Sequence, residues 1–138
     1  MHDRLTATAA RAVHAIGAFV EQELRHLGLT HAEIQVLAHL AAEEAVPLLV
    51  LHRSFGHRRS TLTGVLDRLE GRGFVERRPQ PGDRRATLVA LTSAGREAAG
   101  AAAGVLDGLE ARVEAAVSGR SVASFHEVCA AIENATKE

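Results

Sequence analysis

Apolar residues recur at three- and four-residue steps through Leu5, Ala9, Ala12, Ile16, Phe19, Val20, Leu24 and Leu27, with no proline between them. That period puts one apolar stripe on a helix over residues 4–27, and Gly28 is expected to end it. Thr30-His31-Ala32-Glu33 follows as a capping-box sequence, in which the threonine hydroxyl satisfies one orphan backbone N–H and the glutamate reaches back to another. A second helix is expected to start there, turn Ile34, Leu37, Leu40 and Ala41 inward, and stop near Glu43 or Glu44. Val46 and Pro47 break the pattern. Residues 48–55 are a short apolar segment, too brief for an isolated helix but adequate for one docked on neighbours, and Gly56 closes it. Over residues 57–72 the helical period returns, with Leu62, Val65, Leu66 and Leu69 on one stripe and Ser60, Thr61, Gly64, Asp67 and Arg68 largely opposite. Two short helices across a glycine turn make a helix-turn-helix pattern.

Gly73 closes that helix, and residues 74–78 have strand character. Pro79-Gln80-Pro81-Gly82-Asp83 is dense in turn formers, and residues 85–91 return as a second strand rich in Val, Leu and Thr. The hairpin is a wing with Asp83, Arg84 and Arg85 at its tip. Thr92 is placed to cap a long alanine-rich helix from Ser93 to about Val117. Ser118-Gly119 then interrupts, and Ser121 is expected to cap a last helix to about Ala135, with Val122, Phe125, Val128, Cys129 and Ile132 on its apolar face. The expected fold is mainly α with a two-stranded β wing. It forms one domain over 1–138, a winged helix-turn-helix at 30–92 between flanking helices at 4–28 and 93–136.

At 138 residues, 46% apolar and 24% charged, the composition is that of a single soluble domain. The uncharged apolar stretches at 45–51 and 98–106 are far shorter than the roughly 20 residues that cross a bilayer. Asp3 and Arg4 precede no signal-peptide core, so a cytoplasmic protein without membrane contact is expected. The lone Cys129 excludes an internal disulfide framework and any zinc site needing two cysteines from one chain. With no Trp or Tyr and four Phe, the chain has little to stack unpaired bases on, which argues against single-stranded nucleic acid. Fifteen arginines accompany one lysine, Lys137. Planar bidentate donors and the codon bias of a GC-rich genome account for that ratio equally well.

The formal net charge of -1 conceals an uneven distribution. Residues 52–90 hold Arg53, Arg58, Arg59, Arg68, Arg72, Arg77, Arg78, Arg84 and Arg85 against Asp67, Glu70, Glu76 and Asp83, a local +5 that leaves -6 for the rest. A basic block between acidic flanks is the footprint of a reader of double-stranded nucleic acid, although a solvated surface has the same composition. Local chemistry favours the reader. Ser60, Thr61, Thr63, Gly64 and Arg68 offer small hydrogen-bonding groups where a helix can approach base edges in a major groove. Arg58 and Arg59 at the helix start are suited to phosphate, and Arg84 or Arg85 on the wing to an adjacent minor groove.

The run GHRRSTLTGVLDRLEGRGFVER at 56–77, then Asp83-Arg84-Arg85-Ala86 and Leu91-Thr92-Ser93-Ala94-Gly95, resembles the recognition helix, wing and following helix start of MarR-family transcriptional regulators. With the flanking helices the resemblance spans nearly the whole chain, and the Asp-Arg-Arg wing followed by Leu-Thr-x-x-Gly is its most specific part. It implies a homodimer whose first and last two helices interlock, bound to an inverted-repeat, palindromic operator in double-stranded DNA. It also implies repression relieved by a small lipophilic or phenolic effector held between the dimerisation and DNA-binding regions. Ser60, Thr61, Thr63 and Arg68 then map to the groove-facing helix, Arg85 to the wing arginine of the minor groove, and Asp83 to the acid that steadies the wing by pairing with an arginine. Gly64 departs from the larger polar residue often found at its position. Independently, apolar faces on the flanking helices exceed what the central region of this short chain can cover, so a second copy is the natural cover.

Eight histidines are spread along the chain without a His-x-x-x-His or His-Glu-x-x-His spacing, so no metal cofactor is expected. His57 is read as a cap or phosphate contact. His14 and His39 lie near apolar stripes and are candidates to line an effector pocket, although partial burial explains them as well. Cys129 on an apolar face is a small core residue by default. No nucleophile elbow, phosphate loop or paired-carboxylate motif frames the serines, histidines and acids, so an enzyme is not expected. Two function classes stay open: a DNA-binding regulator, and a winged-helix interaction or sensor module without tight DNA binding. The local +5 favours the first, and Gly64 with the overall negative charge the second.

Overall fold

The computed structural model describes residues 3–56 and 59–137, the Arg59 side chain excepted, and divides into two compact units, residues 1–105 and 106–138. In the first unit the order is α1 (Leu5–Glu23), a 3-10 turn (Arg25–Leu27), α2 (His31–Leu40), β1 (Ala45–Pro47), α3 (Leu48–Phe55), α4 (Arg59–Gly71), β2 (Val75–Gln80), β3 (Asp83–Leu91) and the start of α5 (Ser93–Ala116). The second unit holds the rest of α5 and α6 (Gly119–Ala135).

α1 stops four residues earlier than its period suggests. Leu24 leaves helical geometry to enter the core at 2% exposure, and the tighter 3-10 turn delivers the chain to Gly28 in the left-handed region at φ 63°. Leu5, at the other end of the same stripe, is 59% exposed. The capping box forms in both directions: Thr30 Oγ1 accepts from the Glu33 N–H at 3.3 Å and Glu33 Oε1 accepts from the Thr30 N–H at 3.1 Å. Replacing Thr30 by alanine is expected to cost about 1 kcal/mol, read as a lower thermal midpoint. α2 ends at Leu40, and Ala41, expected inward, is its exposed C-cap.

The expected break at Val46-Pro47 is a third strand. β1 pairs antiparallel with β3 (Ala45 with Ala90, Val46 with Val89, Pro47 with Leu88), so the sheet order is β1-β3-β2 and only the outer wing is two-stranded. Three residues are too few to show a period of two, and Pro47 is tolerated because β1 is an edge. The strands of the hairpin also run further than expected, leaving Pro81-Gly82 as the turn, with Gly82 at φ 82°. Pro79 pairs with Thr87 but Gln80 pairs with Asp83, so Arg84, Arg85 and Ala86 form a bulge on β3. β2 is the other edge, where the absent N–H of Pro79 breaks no ladder bond with a further strand.

The α4 stripe is the centre of the core. Leu62, Val65, Leu66 and Leu69 are at most 1% exposed, together with Ile34, Leu37 and Leu40 of α2, Leu51 of α3 and Val89 of β3. At the base of the wing Thr92 Oγ1 accepts from the Gly95 N–H at 3.0 Å and donates to the Gly73 carbonyl at 2.5 Å, while the Thr92 N–H donates to the Phe74 carbonyl at 3.1 Å. Gly95 is buried, and a Cβ on it would collide with that Phe74 carbonyl. The Leu-Thr-x-x-Gly motif is thus a joint: Leu91 enters the core, Thr92 caps α5 and ties it to the end of α4, and Gly95 lets the two backbones meet.

In the second unit the cap of α6 is Ser118, whose Oγ accepts from the Ser121 N–H at 3.1 Å, in place of the Ser121 expected. The helix consequently starts at Gly119. Val113, Val117, Phe125 and Val128 are 37–60% exposed in the single chain.

Candidate nucleic-acid interface

Burial of one α4 stripe fixes what the helix presents on its other side. Ser60, Thr61, Thr63, Asp67 and Arg68 are exposed and Gly64 is partly so. His57 and Arg58 lie outside the described residues, as does the side chain of Arg59. Arg68 folds back along its helix: Nε lies 3.9 Å from Oε1 of Glu33, the capping-box acid, which is 3% exposed, and a Cβ on Gly64 would stand 3.5 Å from Arg68 Nη1. The Arg68 guanidinium thus lies at ordinary contact distance from where a side chain at position 64 would begin.

The wing bulge brings Arg84 and Arg85 to an exposed tip, and among the described residues neither has an ion pair. Asp83 accepts from the backbone N–H of Arg85 at 3.0 Å. Among the described residues Asp83 has no ion pair with an arginine side chain, and it fixes the backbone of Arg85 instead. Between the start of α3, α4 and the wing lies an open concavity of about 540 Å³, lined by Pro47, Leu48, Leu49, Val50, His52, Thr63, Gln80, Asp83, Arg85, Ala86 and Thr87.

Besides Arg68, three arginines of the basic block have structural partners that the charge count did not reveal. Arg77 on β2 donates through Nε to Glu70 at 2.8 Å and through Nη2 to Asp67 at 2.5 Å. Those hydrogen bonds, to Glu70 first and then Asp67, hold its guanidinium above the usual arginine range, so it is fully charged at neutral pH. Arg78 lies 3.5 Å from Glu76. Arg72 donates to the Gly28 carbonyl at 3.2 Å and stacks over Phe74 at 4.9 Å. The +5 is thus graded, with both carboxylates on the outer face of α4 tied to Arg77, while Arg53, Arg84 and Arg85 are exposed without an ion pair among the described residues. The signal for Arg77 was present in the sequence as two acids three apart on α4, but nothing there named their partner.

The two histidines offered for an effector pocket do not line this concavity. His14 is exposed on α1, and His39 on α2 packs edge-on against Phe55 with ring centroids 5.3 Å apart. Among the described residues no three His, Cys, Asp or Glu are placed to hold a metal, and no helix is long and apolar enough to cross a membrane. Cys129 is a half-buried free thiol on α6.

Known proteins are similar to this chain in part of the sequence and in the fold. The chain is 34% identical over 76 residues to the multiple antibiotic resistance protein MarR of Escherichia coli (strain K12), a stretch covering 55% of this chain and 53%, about half, of that protein's length. Its fold is similar to that in the S. aureus MepR–DNA complex, with TM-score 0.82 at 15% identity over 97% of this chain and 99% of the other. It is also similar to overoxidized AbfR bound to DNA, with TM-score 0.75 at 25% identity over 94% of this chain and 90% of the other. The MarR family pattern matches residues 29–87, from the start of α2 to the wing. Over its winged helix-turn-helix, therefore, this chain is similar to the MarR family.

Proposed function

We propose that this protein is a DNA-binding transcriptional regulator, a repressor that binds an inverted-repeat operator as a homodimer and is released by a small lipophilic or phenolic ligand. The observation that carries the reading is the pairing of a polar α4 face with a bulged wing tip whose two arginines are unpaired among the described residues. α4 enters a major groove, where Ser60, Thr61, Thr63 and Arg68 meet base edges, Arg58 and Arg59 meet phosphate, and Arg85 reaches the neighbouring minor groove with Arg84 beside it. The regulator class accounts for these features without catalysis.

The dimer is supported by exposed apolar side chains, Leu5 and Val13 on α1 and Val113, Val117, Phe125 and Val128 on α5 and α6. Two-fold symmetry then spaces the half-sites about one helical turn, roughly 10 bp, apart. Light scattering after gel filtration is expected to give twice the chain mass, and Phe125→Asp to give the single chain; a monomeric parent would exclude the two-fold operator.

Fluorescence anisotropy against duplex DNA from the protein's own upstream region, at two salt concentrations and with a scrambled duplex as control, tests the reading. Specific binding that saturates at one dimer per duplex and weakens with salt supports it, and a phenolic acid in the same assay tests release. Absence of binding to either duplex at low salt overturns it in favour of an interaction module.

A further inference from the structure

The wing is joined to α4 through Gly73, in the left-handed region at φ 76°, and β2 is an edge strand with only β3 beside it. β1 supports β3 only at residues 88–90, so beyond that base the wing is a two-stranded arm interrupted by its bulge. An arm of this kind swings unless something fixes its angle. Arg77 stands opposite Val89, within the supported base, and its side chain is 28% exposed. Its planar fork engages two carboxylates one helical turn apart on a single face of α4, Nε to Glu70 and Nη2 to Asp67. One contact would leave a pivot. Two contacts from a rigid plane fix both the distance and the rotation of β2 relative to α4.

The acids themselves point the same way. A helix face apposed to a polyanion gains nothing from two carboxylates, and Arg77 cancels the charge of only one of them. We infer that Arg77, held by Asp67 and Glu70, is a positioning residue that sets the span between the recognition helix and the wing tip, so that α4 and Arg85 meet adjacent grooves together. The inference rests on the proposed groove assignments and adds to them the device that maintains their spacing. Arg77 itself need touch no DNA.

The test uses the full-length protein and the ratio of its affinities for its upstream-region operator and for a scrambled duplex, which removes the general gain expected when acids are deleted. Asp67→Ala with Glu70→Ala is expected to lower that ratio about tenfold, and Arg77→Lys, which keeps the charge without the fork, to lower it in the same direction. In an Arg85→Ala background the double substitution should lower the ratio no further, because the group being positioned is gone. Circular dichroism and thermal melting establish that each variant is folded, and the Lys variant supplies the result if the double variant is not. An unchanged ratio for the acid and Lys variants, with Arg85→Ala still lowering it, overturns the inference and leaves the groove reading intact. Equal losses in both backgrounds also overturn it, since the clamp would then act on something other than the wing arginine. A ratio insensitive to Arg85→Ala sinks the groove reading of the wing, and the inference falls with it.

Discussion

Arg85→Ala is expected to weaken operator binding by about tenfold and to flatten the dependence of log affinity on log salt by about one unit. The side chain stands in a bulge whose backbone is fixed by Asp83 and whose guanidinium has no ion pair among the described residues, so no internal partner is lost on removal. The loss is therefore one of binding and not of folding, and the thermal midpoint should be unchanged. Anisotropy titrations at two or more salt concentrations measure both quantities. Equal affinity and equal slope for the variant and the parent would remove Arg85 from the interface.

The largest effect on stability is expected from Gly95→Ala, at roughly 3 kcal/mol of destabilisation or about 10 °C in the thermal midpoint. Elsewhere in a helix this exchange stabilises, because alanine has the higher helix propensity. At Gly95 the new methyl meets the Phe74 carbonyl, a backbone atom that cannot rotate away as a side chain would, and the joint from the end of α4 to α5 must open. Gly100, on the same helix, is exposed, and a methyl group there would have no neighbour within 4 Å. Gly100→Ala should accordingly raise stability by about 0.5–1 kcal/mol. Opposite signs for one substitution five residues apart, read by thermal melting, would establish the close approach; a stable Gly95→Ala protein would refute it.

Much of the framework was legible residue by residue because its causes are local. The Thr30–Glu33 box, the limits of α3, the buried stripe of α4 and the glycine stops depend on partners within a turn or two, and the corresponding spacing is written directly in the chain. Even local signals leave a choice where two candidates compete: Ser118 and Ser121 both suit a cap, and Ser118 takes it by meeting the Ser121 N–H. The exposed face of α4 follows by elimination once Leu62, Val65, Leu66 and Leu69 are known to be inside. The wing tip was visible as a charged turn, but the bulge that sets Arg84 and Arg85 apart from the ladder was not, since it depends on which residue of β2 faces which residue of β3.

By itself, then, the sequence determined the helices, the hairpin and the polar surfaces of a winged helix-turn-helix, because periodicity, caps and turn residues act over a few neighbours. Only the tertiary structure decided that Ala45–Pro47 joins the sheet beside β3, that Arg68 leans over Gly64 toward buried Glu33, and that Arg77 locks β2 to α4. It also separated His14 and His39 from the concavity beside the wing. Each of these depends on pairing between distant segments, and a charge or a three-residue strand becomes a specific contact only when folding sets its partner within a few ångströms.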